Sequence, residues 1–321
     1  MRTALRIAGI LVLVLLAGET LAGEGIGSGI LHPARRALTP ELVAQADQAF
    51  TRAGAMREDF VVTAHDGVRL RGWKVRPAHA NGDWVLLFHG VSDNRVGMLG
   101  QAEMLLRHAY SVVMMDARGS GASEGPMVTY GWLERNDTRA IVDALAATEA
   151  LPASANIFAS GESMGAAVAL QSAGVEPRIA AVVAESAFRN LREVSYDYAG
   201  LRMSPLLGKT LLRPVAIVGL RNAECEGGFR AEDVSPERAV AARTFPVLLI
   251  CGLDDHNIPA RHTRAIYAAA KGPKEMWLVP GAGHTQVQGR APEEFERRVA
   301  SFFARARARE ATQAGSPPAN R

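Results

Sequence analysis

The residues with the clearest chemical potential are Gly161-Glu162-Ser163-Met164-Gly165. An apolar run, Ile157-Phe158-Ala159-Ser160, precedes them, and a run of small residues, Ala166-Ala167-Val168-Ala169-Leu170, follows. A glycine-flanked serine between a strand and a helix sits on a sharp turn with its hydroxyl presented for attack on a carbonyl carbon. A Cβ at either flanking glycine would obstruct the packing of strand on helix. The pattern recurs at Gly121-Ala122-Ser123-Glu124-Gly125, but there it follows the loop Ala117-Arg118-Gly119-Ser120 and runs into Pro126. Ser123 is therefore read as a loop residue and Ser163 as the nucleophile.

A serine hydroxyl needs a base within hydrogen-bond reach, and the base needs an orienting acid. Three histidines follow Ser163. His284 lies in Val279-Pro280-Gly281-Ala282-Gly283-His284, a glycine loop behind the last strand-like run, and is the expected base. His256 and His262 sit at a helix start and are expected to be solvated. The acid should come from Gly252-Leu253-Asp254-Asp255-His256-Asn257-Ile258-Pro259. Asp255 is the expected member, with Asp254 the alternative; the unused aspartate is expected to cap the next helix or bond the loop backbone. Two backbone N–H groups should face a developing oxyanion: that of Met164, and that of Val91 in Phe88-His89-Gly90-Val91. His89 is expected to support that loop. Asp93 or Asn94 is expected to cap the following helix, with a substrate contact by Arg95 as an alternative.

These groups need a rigid frame. Strand-like runs at 84–88, 111–115, 157–160, 179–184, 247–251 and 274–279 alternate with helical stretches such as 98–107 and 132–148. Such alternation builds a mostly parallel sheet covered on both faces. Residues 60–64 and 68–75 flank Asp66-Gly67 and read as an antiparallel hairpin at its head. The rhythm breaks between about 186 and 243, a length typical of a functional lid. Leu206, Leu207, Leu211, Leu212, Val215, Ile217 and Val218 would then line a substrate entrance. A helical subdomain that only covers the sheet edge is the alternative. Helix is expected over 295–305 and a disordered tail over 306–321.

The ordered motifs Phe88-His89-Gly90, Asp116-x-Arg118-Gly119-x-Gly121-x-Ser123, Gly161-Glu162-Ser163-Met164-Gly165, Gly252-x-x-Asp255-x-x-Ile258-Pro259 and Gly281-x-Gly283-His284 resemble those of the α/β-hydrolase superfamily. The likeness spans about residues 60–305. Tyr130-Gly131-Trp132-x-Glu134-x-x-Asp137 and Val234-Ser235-Pro236 resemble its serine-aminopeptidase-like branch of bacterial hydrolases. The resemblance implies an α/β-hydrolase fold with an N-terminal antiparallel hairpin and a helical lid insertion at 186–243. It implies a serine hydrolase with Ser163, Asp255 and His284 as catalytic triad, and Asp116-Ala117-Arg118-Gly119 as a structural turn. It leaves the substrate open, because one fold hosts esterases, peptidases and lipases. A carboxylic ester is the expected substrate. A peptidase, for which Glu224, Glu226, Glu232 and Asp233 would be the candidates to hold a free amine, an acyltransferase and a non-catalytic binding relic are the alternatives.

At the N-terminus, Arg2 and Arg6 precede an uninterrupted apolar run from Ile7 to Gly18, and Thr20-Leu21-Ala22 offers a small-residue cleavage site. Residues 1–22 read as a signal peptide, with an uncleaved membrane tether as the alternative, so the protein is expected to be exported or membrane-anchored. Residues 23–59 read as a linker and extension. The 321 residues are 48% hydrophobic, enough for a sizeable core, and the net charge of +3 points away from a nucleic-acid partner. The two cysteines, Cys225 and Cys251, are too few for a disulfide scaffold and lack zinc-type spacing. No metal motif, phosphate loop or dinucleotide fingerprint is present, so no cofactor is expected and the partner is a small-molecule ester or amide.

Overall fold

A computed structural model describes residues 29–152, 154–200, 210 and 213–314. The expected leader (1–22), the leucines at 206, 207, 211 and 212, and the last seven residues of the expected tail lie outside the described residues.

In chain order the strands are β1 (Ala55–Thr63), β2 (Arg69–Pro77), β3 (Trp84–Phe88), β4 (Ser111–Met115), β5 (Ile157–Glu162), β6 (Ile179–Glu185), β7 (Val247–Gly252) and β8 (Lys274–Val279). The helices are α1 (Pro40–Arg52), α2 (Leu99–Arg107), α3 (Glu134–Glu149), α4 (Met164–Val175), α5 (Leu191–Gly200), α6 (Arg213–Gly227), α7 (Pro236–Ala242), α8 (Arg261–Ala269), α9 (Val287–Arg290) and α10 (Pro292–Ala314). The strands form one sheet in the order β1-β2-β4-β3-β5-β6-β7-β8. β1 pairs with β2, and β2 with β4, antiparallel; every later pairing is parallel. The parallel strands are short and almost wholly apolar because both faces are covered.

Period-two alternation sends side chains to two cores. Val85, Leu87, Val112, Met114, Phe158, Leu248 and Ile250 face α1, α2 and α10. Trp84, Leu86, Val113, Ile157, Ala159, Val247 and Leu249 face α3, α4, α7 and α8. α4 is apolar all round because it lies between the sheet and an outer helix layer.

Three boundaries differ from the sequence reading. The segment 23–59 is not simply a linker: Thr39 caps α1, and Ala46, Ala49 and Phe50 are buried, with Phe50 edge-on to Trp73 at 6.2 Å. Small alanines on the inner face of α1 conceal its amphipathicity. The expected tail from 306 is helical through Ala314, because the stripe Phe295, Val299, Phe302, Phe303, Ala306 keeps α10 on the sheet. Finally, α7, inside the expected lid, is a sheet-covering helix: Val240 is in the core, and Ala239 lies so close to α4 that a Cβ on Gly174 would be 2.9 Å from it.

A buried ion pair ties the loop after β3 to the loop after β4. Asp116 accepts from the Arg95 N–H at 2.7 Å, the Arg95 guanidinium at 2.7 and 3.1 Å, and the Ala122 N–H at 2.7 Å. Neither side chain is more than 3% exposed. Removing one partner of such a pair strands a buried charge. Asp116→Ala is expected to cost about 3–5 kcal/mol, read as a lowered urea midpoint at unchanged slope; a loss below about 1 kcal/mol would contradict this assignment.

Candidate active site

β5 ends at Glu162, and α4 begins at Met164. The single residue between them, Ser163, has φ +53° and ψ −119°, a conformation that L-residues rarely adopt. The turn closes because its neighbours lack side chains. A Cβ on Gly161 would lie 2.5 Å from the Gly165 carbonyl group, and one on Gly165 would lie 2.0 Å from the Phe88 carbonyl oxygen.

His284 reaches this turn from the loop after β8. Its Nε2 lies 2.9 Å from the Ser163 hydroxyl oxygen, and its Nδ1 lies 2.9 Å from Asp255 Oδ2. A carboxylate only accepts, so Nδ1 carries the proton and Nε2 is left to accept from the serine. The second oxygen of Asp255 accepts from the N–H groups of Asn257 and Ile258 at 3.0 and 2.8 Å. Asp255 thus bonds both the imidazole and its own loop, whereas Asp254 is exposed. The backbone task expected of the unused aspartate falls to Asp255 itself. The loops after β7 and β8 are stitched together by Asp254 N–H to Ala282 O at 3.0 Å, and a Cβ on Gly252 would strike that same carbonyl at 2.1 Å.

Val91 and Met164 line one cavity with Ser163. The position of a Cβ on Gly90 is 3.8 Å from Ser163 Cβ, so the loop after β3 runs directly past Ser163. His89 supports that loop: its Nδ1 donates to Gly90 O at 2.7 Å, and its Nε2 accepts from Ala117 N–H at 3.0 Å. Asn94 caps the next turn through Val96 N–H. Arg95 faces Asp116, which rules out the alternative of a substrate contact. Ser123 is buried between Asp116 O and Arg71 N–H, as a structural loop residue should be.

His262 departs from expectation. It is fully buried, with Nε2 2.8 Å from an Asp197 carboxylate oxygen and Nδ1 accepting from Arg189 N–H at 3.2 Å. It joins α8 to α5, and a polar side chain near a helix start hid that role. His256 is exposed.

Two carboxyls beside the serine were not singled out by the sequence reading. Glu185 ends β6; its carbonyl accepts from Ser163 N–H at 2.9 Å and its side chain accepts from Val287 N–H at 3.0 Å. Burial pushes its carboxyl up to about 7, opposed by the Val287 bond and by His284. Glu162 precedes the serine, and burial, with Glu185 and Asp93 nearby, pushes it up to about 8. A glutamate closing an otherwise apolar strand was the available signal for Glu185.

The cavity holds about 660 Å³. Phe188, Leu191, Val194 and Ile258 give it apolar walls, and Tyr130 and Tyr198 add aromatic rings. The helices α5 and α6 contribute to it. The four lid carboxylates considered for a free amine have other partners: Glu224 accepts from Ala231 N–H, Glu226 meets His32, Glu232 meets Arg192, and Asp233 meets Arg238. None of them lines the cavity.

An eight-stranded mixed sheet with this serine turn at its carboxyl edge defines an α/β-hydrolase. The same architecture occurs in the Pyrococcus furiosus esterase Pf2001, with a TM-score of 0.66 at 23% identity over 85% of this chain and 98% of that one. The profile of the serine aminopeptidase S33 family matches residues 80–217. The uncharacterized protein YqkD of Bacillus subtilis (strain 168) is 29% identical over 247 residues, 76% of this chain and 78% of its own. The uncharacterized protein Rv2307c of Mycobacterium tuberculosis (strain ATCC 25618 / H37Rv) is 31% identical over 233 residues, 72% and 73% of the two chains. The chain belongs to the α/β-hydrolase superfamily, in its serine aminopeptidase S33 family.

The raised Glu162 carboxyl has a consequence for stability. The folded protein holds this proton up to about pH 8, whereas an ordinary glutamate releases it near 4.5. Its contribution to stability is therefore fully present below about 4.5 and is lost as pH rises towards 8. Glu162→Gln, which stays neutral, is expected to flatten the fall in urea midpoint across that interval. An unchanged fall would contradict the assignment.

Proposed function

We propose that the protein is a serine hydrolase that cleaves a carboxylic ester with an apolar acyl group through an acyl-enzyme on Ser163. The observation that carries this reading is the unbroken chain Asp255–His284–Ser163, two bonds of 2.9 Å, opening on an apolar cavity. Ser163 Oγ attacks the ester carbonyl carbon while its proton passes to His284 Nε2. Asp255 holds the tautomer and stabilises the imidazolium that forms. The N–H groups of Val91 and Met164 receive the oxyanion, an interaction worth about 3 kcal/mol per donor. His284 then protonates the leaving alcohol, and water, activated by the same nitrogen, releases the acid.

The esterase name of the Pyrococcus furiosus neighbour is consistent with this chemistry. A second reading, amino-terminal peptide cleavage, is suggested by the family's description. It is disfavoured because the lid carboxylates that would hold a free amine have other partners. An acyltransferase would use the same acyl-enzyme with an alcohol in place of water, and added alcohol would then appear in the product.

The test is hydrolysis of p-nitrophenyl esters of increasing acyl length. kcat/KM is expected to rise with chain length until the cavity is full. Ser163→Ala and His284→Ala are each expected to lower kcat about a million-fold, and Asp255→Asn about ten-thousand-fold. Retained activity in Ser163→Ala, or faster cleavage of aminoacyl p-nitroanilides than of any ester, would overturn the reading.

A further inference from the structure

We propose that Glu185 is a positioning residue that sets the distance between Ser163 and His284; this role rests on the serine-hydrolase reading above. Glu185 holds the frames of both groups at once. Its carbonyl accepts from Ser163 N–H at 2.9 Å, and its side chain accepts from Val287 N–H at 3.0 Å. Val287 lies just beyond His284 in the chain. Ser186 N–H donates to Ile250 O on β7 at 2.8 Å, so the same strand end is pinned to the strand that leads into the Asp255 loop.

A second observation is how His284 itself is held. Residues 283–286 close on themselves: Gln286 N–H donates to Gly283 O at 3.4 Å, and Gly283 N–H to the Gln286 side chain at 3.2 Å. Such a turn moves as a unit, so its orientation is fixed by what holds its two ends. The upstream end is Ala282, whose carbonyl accepts from Asp254 N–H at 3.0 Å. That bond ties the turn to the loop of the acid. The downstream end is Val287, which opens α9, and the first N–H groups of a helix have no acceptor within it. Glu185 supplies the acceptor and ties the turn to the residue that also holds Ser163. Without this anchor the turn can pivot about Ala282. His284 would then keep Asp255 and lose its alignment with Ser163.

The third observation is that a costly group does this. Glu185 is 1% exposed and closes the otherwise apolar strand Ile179–Glu185. An apolar side chain there would avoid the desolvation that a buried carboxyl carries. An apolar side chain could not accept from Val287. The tie needs an acceptor oxygen at the right reach, which the carboxyl presents in either protonation state.

Two variants separate reach from charge. Glu185→Gln keeps the length and an acceptor oxygen and loses the charge. Glu185→Asp keeps the carboxyl and shortens the side chain by one C–C bond, about 1.5 Å. On p-nitrophenyl butyrate, Glu185→Asp is expected to lower kcat at least about tenfold with KM within about twofold, and Glu185→Gln to stay within about threefold of wild type. Wild-type kcat in Glu185→Asp, an equal loss in Glu185→Gln, a loss confined to KM, or a Glu185→Asp protein that does not fold would each overturn the positioning role. Hydrogen exchange of peptides spanning 284–290, read by mass spectrometry, checks the tie without any substrate. Exchange is expected to quicken in Glu185→Asp and to stay as in wild type in Glu185→Gln. The same exchange in all three proteins would overturn the tie. Wild-type protein that cleaves no ester while the exchange pattern holds would reject the hydrolase reading and retain the tie.

Discussion

The site depends on one steric constraint: there is no room for a Cβ at Gly161 or Gly165. The first glycine lets β5 meet the start of α4, and the second lets α4 meet the end of β3. With those approaches fixed, the one residue left in the turn is driven to positive φ and its side chain to the sheet's carboxyl edge. The rest is assembled around that point. Parallel pairing sets β3 and β6 on either side of β5, with β7 next to β6, so the loops bearing Val91 and Asp255 and the end of β6 at Glu185 lie along one sheet edge. A serine at this position would be an isolated strained residue without them.

Four acidic groups of the loops and strand ends at the carboxyl edge of the sheet differ because their surroundings differ. Asp255 accepts two backbone N–H bonds as well as the imidazole, so its negative charge is well provided for. Asp116 is equally buried, and it has a guanidinium and two N–H groups. Glu185 has one backbone N–H beside it, and burial dominates. Glu162 is raised by burial, with Glu185 and Asp93 adding repulsion. The same residue class thus supplies an orienting anion, a structural anchor and two groups that tend to keep their protons.

Much of the site was readable because each part sits in a short local motif. The serine turn, the glycine loop of His284 and the Asp255 loop are each defined within about ten residues by turn chemistry. Their meeting required the strand order, which brings β3 between β4 and β5 and is not written in any local pattern. What stayed hidden was set by tertiary contact. α1 hides behind alanines whose burial depends on Trp73 and the sheet. His262 reads as a surface residue until Asp197, 65 positions away, arrives beside it. The part of the cavity wall formed by Gly29, Ile30 and Pro33 comes from a glycine-rich stretch with no chemical signature of its own.

The proposed activation of Ser163 is tested most directly by a fluorophosphonate, which reacts with a serine oxygen made nucleophilic by a neighbouring base and needs no knowledge of the substrate. Labelled protein would be digested and the adduct mapped by mass spectrometry in wild type, Ser163→Ala and His284→Ala. The expected result is a stoichiometric adduct on Ser163, absent from the first variant and formed far more slowly in the second. Folded wild-type protein that stays unlabelled, or an adduct on Ser123, would contradict the assignment of Ser163 as the nucleophile.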